Sequence, residues 1–391
     1  MALQNAVRYF TEETQLLSSM AIACGDATRR SQAIGGIADS AQRPVTEDTL
    51  YDLASLTKLM TGLMVMRLRE EGLLDLSAPV TRYAPAFENL SHIAVDTVLG
   101  FETGLVTPER VDAQADRASG LAMLHRISPR SNGDGRAYSD MHAMVLKEVI
   151  EGAAGQSYMD ALRARILRPL GMERTVCRVP NAWKPLCASF DGEHRIEGDR
   201  YILRRGIEKG TPHDPKARLL NAQGDDCCGH AGLFAPLGDM VLLAQGVLRC
   251  NVVSRESLAF MARNRTGRRL EGGGYTQFLG SQCYVKHPEL YYSEIPLYES
   301  DQAIGLSGFT GHHLSIDPKR GVFALFLGNR VLNRLTVLTP PQGRTLMDYG
   351  LAPDGVGVVL WPDGTRVQSS VQYVHHKDAH FHNEVARELG L

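Results

Sequence analysis

Apolar positions recur along this chain with two different periods, and the change from one to the other marks out its elements. Residues 18–37 carry short apolar runs either side of Gly25-Asp26 and read as two strands joined by a turn at that pair. They lead to Tyr51-Asp-Leu-Ala-Ser55-Leu-Thr-Lys58, after which Leu59, Met60, Leu63, Met64, Val65, Met66 and Leu68 predict a helix. Gly72 and then Pro79 are the signals that stop it. Residues 76 to 245 read mainly as helices and long loops, with helical spacing over 141–151, 158–167 and 240–250. From residue 275 the runs become short and β-like, over 277–285, 311–316 and 322–327. Residues 355–376 predict a hairpin turning at Pro362-Asp363-Gly364, with a short helix from Asn383.

Strands at both ends around a helical middle imply an α+β fold of sandwich type, in which one antiparallel sheet is built from the N- and C-terminal parts and flanked by helices. The expected organisation is a single domain over 1–391, with a sheet-containing lobe from 1–75 and 246–391 and a mainly helical lobe from 76–245 inserted into it. The chain shows no internal repeat, heptad or low-complexity tract.

Composition narrows the possible partners. The 391 residues are 43% hydrophobic and 22% charged, enough for a sizeable core. With 42 Lys+Arg against 44 Asp+Glu the formal net charge is -2, and no basic run recruits nucleic acid or an anionic membrane, so the expected partner is a small molecule. The first residues lack a charged segment followed by an apolar one, and no stretch of about 18 apolar residues occurs, so the expected location is the cytoplasm. Seven cysteines without a Cys-x-x-Cys pair favour reduced thiols. Cys227-Cys228 beside His230, and His375, His376, His380 and His382 near the C-terminus, can be read as metal ligands. Adjacent cysteines fit one tetrahedral site poorly, buried cysteine commonly acts as a small apolar residue, and an exposed histidine-rich end usually binds metal only adventitiously, so neither set is expected to be a metal site.

The chemistry gathers at Ser55 and Lys58. In a helix, positions i and i+3 share a face, so the hydroxyl and the amine are neighbours. A serine becomes a nucleophile when a base takes its proton, and a lysine whose pKa is lowered by desolvation can be that base. Three further segments join the pair. Tyr138-Ser139-Asp140 places a phenol on a turn before a helix that Ser139 or Asp140 can cap. Gly305-Leu306-Ser307-Gly308-Phe309-Thr310-Gly311 lets backbone approach a ligand closely, as an oxyanion hole of main-chain N–H groups requires. His213-Asp214-Pro215 and Gly229-His230-Ala231-Gly232-Leu233-Phe234 bring two histidines into loops, catalytic or tied together by hydrogen bonds.

In this order the segments resemble the serine β-lactamase and penicillin-binding-protein superfamily, in particular the branch holding class C β-lactamases, related esterases and D-amino-acid-specific peptidases. Residues 51–58 are similar to its Phe-x-x-Ala-Ser-x-Thr-Lys, Tyr138-Ser-Asp140 to its Tyr-Ser-Asn or Tyr-Ser-Asp, and Gly305 with residues 308–311 to Gly-His-Thr-Gly-Phe-Thr-Gly. Ile-Leu-Arg-Pro-Leu-Gly-Met at 166–172 and Gly-His-Ala-Gly-Leu-Phe at 229–234 are similar to its members as well. The resemblance spans residues 18 to 335. It implies Ser55 as the acylated nucleophile, Lys58 as its base, Tyr138 as the proton shuttle, and the N–H groups of Ser55 and Phe309 as the oxyanion hole. Asp140 and the triplet Leu306-Ser307-Gly308 would lie against the substrate, and the resemblance implies no metal or organic cofactor.

One departure bears on that substrate. The third motif of the family begins with Lys or His, and Leu306 stands there, so the cation that would hold a substrate carboxylate is absent from its usual place. His312, His313, Arg330 and Arg334 are candidate replacements. The expected activity is that of a serine hydrolase acting on a small ester or amide. The alternatives are a biosynthetic transacylase passing the acyl group to an amine or alcohol, and a binding protein on the same fold.

Overall fold

The computed structural model describes residues 2–130, 137–221, 226–289 and 294–391. Along the chain come helix α1 (Ala2–Arg8), strands β1 (Ser19–Asp26) and β2 (Arg30–Gly36), helix α2 (Leu56–Glu70), helix α3 (Asp140–Ala154), strands β3 (Glu193–Glu197) and β4 (Arg200–Arg204), and helix α4 (Leu237–Leu248). The C-terminal part adds β5 (Tyr284–Val285), β6 (Ile304–Gly308), β7 (His312–Asp317), β8 (Val322–Asn329), β9 (Arg334–Thr339), β10 (Val358–Leu360), β11 (Arg366–Ser369) and helix α5 (His382–Leu389).

The main sheet runs β2-β1-β8-β7-β6-β5 and is antiparallel throughout, so residues from both ends of the chain make one layer and the fold is α+β as expected. Alternation explains how it is covered. Met20, Ile22 and Cys24 of β1, with Ala324 and Phe326 of β8, face a cluster that includes Leu3, Val7 and Val385 from α1 and α5. The intervening Ala21, Ala23, Phe323, Leu325 and Leu327 face the large core around α2 and α4. A sheet buried on both faces needs near-continuous apolar strands, and the burial of β1 from Ser19 to Gly25 fits that. Helix α2 is buried along most of its length, including Thr57, Lys58 and Thr61, so Lys58 reaches its setting without crossing water.

A second sheet was not foreseen. Its order is β10-β11-β9-β3-β4. The hairpin expected near the C-terminus forms, with β10 antiparallel to β11, but β11 lies parallel to β9 and β9 parallel to β3. Its other hairpin, β3–β4, comes from the stretch read as mainly helical. The 277–285 run also shortens to Tyr284–Val285, because Gln282 takes a left-handed φ of 57° that breaks the extended chain. Among the described residues no helix is long and apolar enough to cross a membrane.

Candidate active site

Ser55 stands where a short ribbon turns into α2. Tyr51–Asp52 pairs with Phe234–Ala235, which fastens the loop carrying His230 to the turn before the serine. In that turn Asp52 accepts hydrogen bonds from the N–H groups of Ala54 (2.9 Å) and His213 (2.7 Å). Ala54 is held at φ 45°, a region that residues with a Cβ seldom occupy and that marks a locally strained backbone. Ser55 is the N-cap of α2, yet its hydroxyl makes no capping bond to the helix backbone. It accepts instead from Lys58 Nζ at 2.9 Å.

The three donors of Lys58 meet three acceptors: Ser55 Oγ, the His230 carbonyl at 3.1 Å and Asp140 Oδ1 at 2.8 Å. That is the coordination of an ammonium. Burial works against this charge, but the Asp140 carboxylate, helped by Tyr138, outweighs it and lifts the Lys58 pKa above its ordinary value. The expectation of a lysine whose pKa desolvation lowers, leaving it neutral, is therefore corrected, because a carboxylate sits against it. Asp140 is free to do so because Ser139 caps α3, its hydroxyl accepting from the Met141 N–H at 3.3 Å. Burial opposes the charge on Asp140 too, and Lys58, His230 and Lys216 together hold its carboxyl well below the usual range.

The network continues outward. Lys216 bridges Asp140 (3.1 Å) and Asp214 (3.3 Å), and Asp214 pairs with His230 at 2.9 Å. Burial opposes protonation of His230, but Cys228 and the carboxylates of Asp214 and Asp140 outweigh it and hold its pKa up at about 10. Asp140, Asp214 and His230 present donor atoms within 4.8 Å of one another, a spacing that can suit a metal. Here the donors already face the Lys58 and Lys216 ammonium groups, which satisfy both carboxylates. Cys227 and Cys228 turn their thiols to the Ala231 carbonyl at 3.6 and 3.4 Å.

Tyr138 packs between Phe101 and Tyr284, both ring centroids at 5.7 Å, with Lys58 Nζ 4.9 Å from its own centroid. Gly135 and Arg136, just upstream, lie outside the described residues. Phe309 shares a cavity of about 270 Å³ with Ser55 and Asp140. Among the described residues neither the Ser55 N–H nor the Phe309 N–H is taken up by a hydrogen bond. Gly308 lets β6 come this close, since a Cβ there would stand 2.7 Å from the Leu53 carbonyl oxygen.

The rest of the third-motif triplet does not meet the cavity as expected. Leu306 is fully buried in the core, because alternation along β6 sends its side chain inward. Ser307 points the other way but is already engaged, donating to Glu294, with His313 Nδ1 at 3.2 Å. Of the candidate replacement cations, His312 contacts the Asp52 carbonyl (2.6 Å), His313 joins Glu294, Arg330 donates to the Thr336 carbonyl, and Arg334 donates to the Gln15 carbonyl (2.9 Å). Besides His230, the cations that line the cavity are Arg110, Arg195, Arg204 and Lys216, which the sequence reading passed over. A signal for two of them was present: Gly198-Asp199 is a two-residue hairpin turn followed by the β-type run Tyr201-Ile202-Leu203, and Gly198 has φ 62°.

Known proteins share this fold. The "Putative D-alanyl-D-alanine carboxypeptidase" of Escherichia coli (strain K12) is 24% identical over 352 residues, 80% of this chain and 76% of that protein. Among solved structures, EstCE1, a hydrolase with promiscuous acyltransferase activity, superposes with a TM-score of 0.66 at 20% identity, covering 84% of this chain and 92% of its own. A class C beta-lactamase from Rhodobacter sphaeroides gives a TM-score of 0.62 at 22% identity over 84% of this chain and 94% of its own. The model of the family described as Beta-lactamase matches residues 3–340, and the chain belongs to that family.

Proposed function

We propose that the protein is a serine acyl hydrolase or acyltransferase that works on a small ester or amide through an acyl-Ser55 intermediate. The observation that carries this reading is the Ser55 hydroxyl itself, released from helix capping on a strained turn and hydrogen-bonded at 2.9 Å to Lys58. Lys58 acts as base in the fraction of molecules whose ammonium has released one proton to solvent. Ser55 Oγ then attacks the substrate carbonyl carbon as its proton passes to Lys58, and the oxyanion lies against the Ser55 N–H at the N-terminus of α2 and the Phe309 N–H after β6. Collapse expels the alcohol or amine, which leaves with that proton, Tyr138 serving as the relay. Water or a second nucleophile attacks the ester and restores the serine. No metal or cofactor enters these steps.

The test is intact-protein mass after incubation with 4-nitrophenyl esters, a penicillin and a fluorophosphonate, for wild type and Ser55→Ala. The expected result is one covalent adduct on wild type and none on the variant. Faster nitrophenol release on adding an amine or alcohol would select acyl transfer over hydrolysis. Absence of any adduct with every probe would leave the binding-protein reading in its place.

A further inference from the structure

The charges lining the Ser55 cavity are unequal in sign. Asp140 and Asp214 are matched within the network by Lys58, Lys216 and His230. Beyond them the cavity is also lined by Arg110, Arg195 and Arg204. Among the described residues each pairs with one carboxylate: Arg110 with Asp112 (2.6 Å), Arg195 with Glu197 (2.9 Å) and Arg204 with Glu193 (3.5 Å). None of those three carboxylates lines the cavity. A guanidinium carries five N–H donors, so one such pair leaves several unspent.

The hairpin holds two of these groups in register. Glu193 lies opposite Arg204 and Arg195 opposite Ile202, which sets Arg195 and Arg204 on one face of the ribbon. The other face buries Ile196, with Leu203 packed beside it, in a cluster with Leu335, Val359 and Trp361. The two side chains remain 20% and 33% exposed, reachable yet anchored.

Resting on the acyl-serine reading, we infer that the substrate carries a compact anion, a carboxylate or a phosphate, which seats against Arg195 and Arg204 with Arg110 at the mouth, on the hairpin side of Ser55 and away from the Leu306 strand. Planar forked donors suit both anions, and a cavity of about 270 Å³ suits a compact substrate. Neutral esters lack the group that the hairpin wall binds.

Three esters with closely related leaving groups test this: 3-(methoxycarbonyl)phenyl acetate, 3-carboxyphenyl acetate and 3-(phosphonooxy)phenyl acetate. Wild type should turn over at least one anionic ester with a kcat/KM at least tenfold above the neutral one, a ratio equivalent to about 1.4 kcal/mol. The larger of the two ratios names the anion. In the double variant Arg195→Gln, Arg204→Gln the ratio should fall toward one, and Ser55 labelling by a neutral fluorophosphonate in that variant reports whether the site is assembled. Arg110→Gln, altering a side chain that is 75% exposed, gives the same comparison with the hairpin untouched, and its ratio should fall several-fold. No preference for either anion in wild type, or a preference that survives the double variant, overturns the inference.

A second arm separates this from failure of the acyl-enzyme reading. Calorimetric titration of the Ser55→Ala protein with 3-hydroxybenzoate and 3-hydroxyphenyl phosphate should show saturable, salt-sensitive binding that the arginine variant loses. Absence of binding by both ligands rejects the anion site whether or not Ser55 is acylated.

Discussion

Cations stand on both flanks of Ser55, but only one flank has them to spare. Near β6, Lys377 is fully buried and donates to Glu294 at 3.0 Å, and the same carboxylate takes the Ser307 hydroxyl and lies 3.2 Å from His313 Nδ1. Burial drives the His313 pKa down to about 4, and Lys377 also lies 3.8 Å from Asp378, so that cluster is closed upon itself. On the hairpin flank the guanidiniums keep donors turned to an open cavity. A buried cation in a satisfied pair cannot be recruited without stranding its partner, whereas a half-exposed arginine can take a second anion at little cost. Losing the motif cation at residue 306 therefore need not mean losing anion recognition.

The sharpest way to break this contrast is to open the closed flank. Lys377→Met leaves Glu294 buried without its partner and should lower unfolding stability in urea by about 3–5 kcal/mol, while the ratio of anionic to neutral ester turnover stays at its wild-type value. A collapse of that ratio would move the recognising cation to the β6 flank. Tyr138→Phe should reduce kcat/KM for neutral and anionic esters alike by about 10²-fold, since the proposed mechanism makes it the proton relay and the change leaves the charges of both flanks in place. An unchanged rate would take Tyr138 out of the mechanism.

The smallest effect concerns pH. With Asp140 present Lys58 is held protonated, so wild-type kcat/KM should keep climbing through the alkaline range as that proton is lost. Asp140→Asn removes the main group raising the pKa and leaves burial, which lowers it, so the rise should move to lower pH by at least about one unit. A pH–rate profile that does not move would mean that Lys58 is not the titrating base.

Much of this site was legible because it is local. The Ser55–Lys58 contact follows from helix geometry, and Ser139 and Asp140 were both placed at the start of their helix. Which of those two would cap it, and which would turn to Lys58, depends on packing of α3 against α2, and with it the charge state of the lysine. Leu306 is a similar case. The motif marked its position, but the alternation of β6, which decides that residue 306 faces the core and 307 does not, needed the strand. The β3–β4 hairpin carried its own turn signal, yet its value to the site comes from partners far along the chain: Glu193 is tied to Thr336, 143 residues on. Periodicity finds a strand more readily than it finds the strand's neighbour.

The same distance has a consequence in time. β1 is buried on both faces, and its partner β8 lies near the other end of the chain, with Ser18 bonded to Asn329 across 311 residues. At synthesis rates of about 5–20 residues per second, the nascent chain carries this apolar strand unpaired on that edge for roughly 15–60 s before its partner has been made. A newborn chain thus spends most of its synthesis with one edge of a strongly buried strand unpaired, which gives a chaperone at the ribosome a surface to shield.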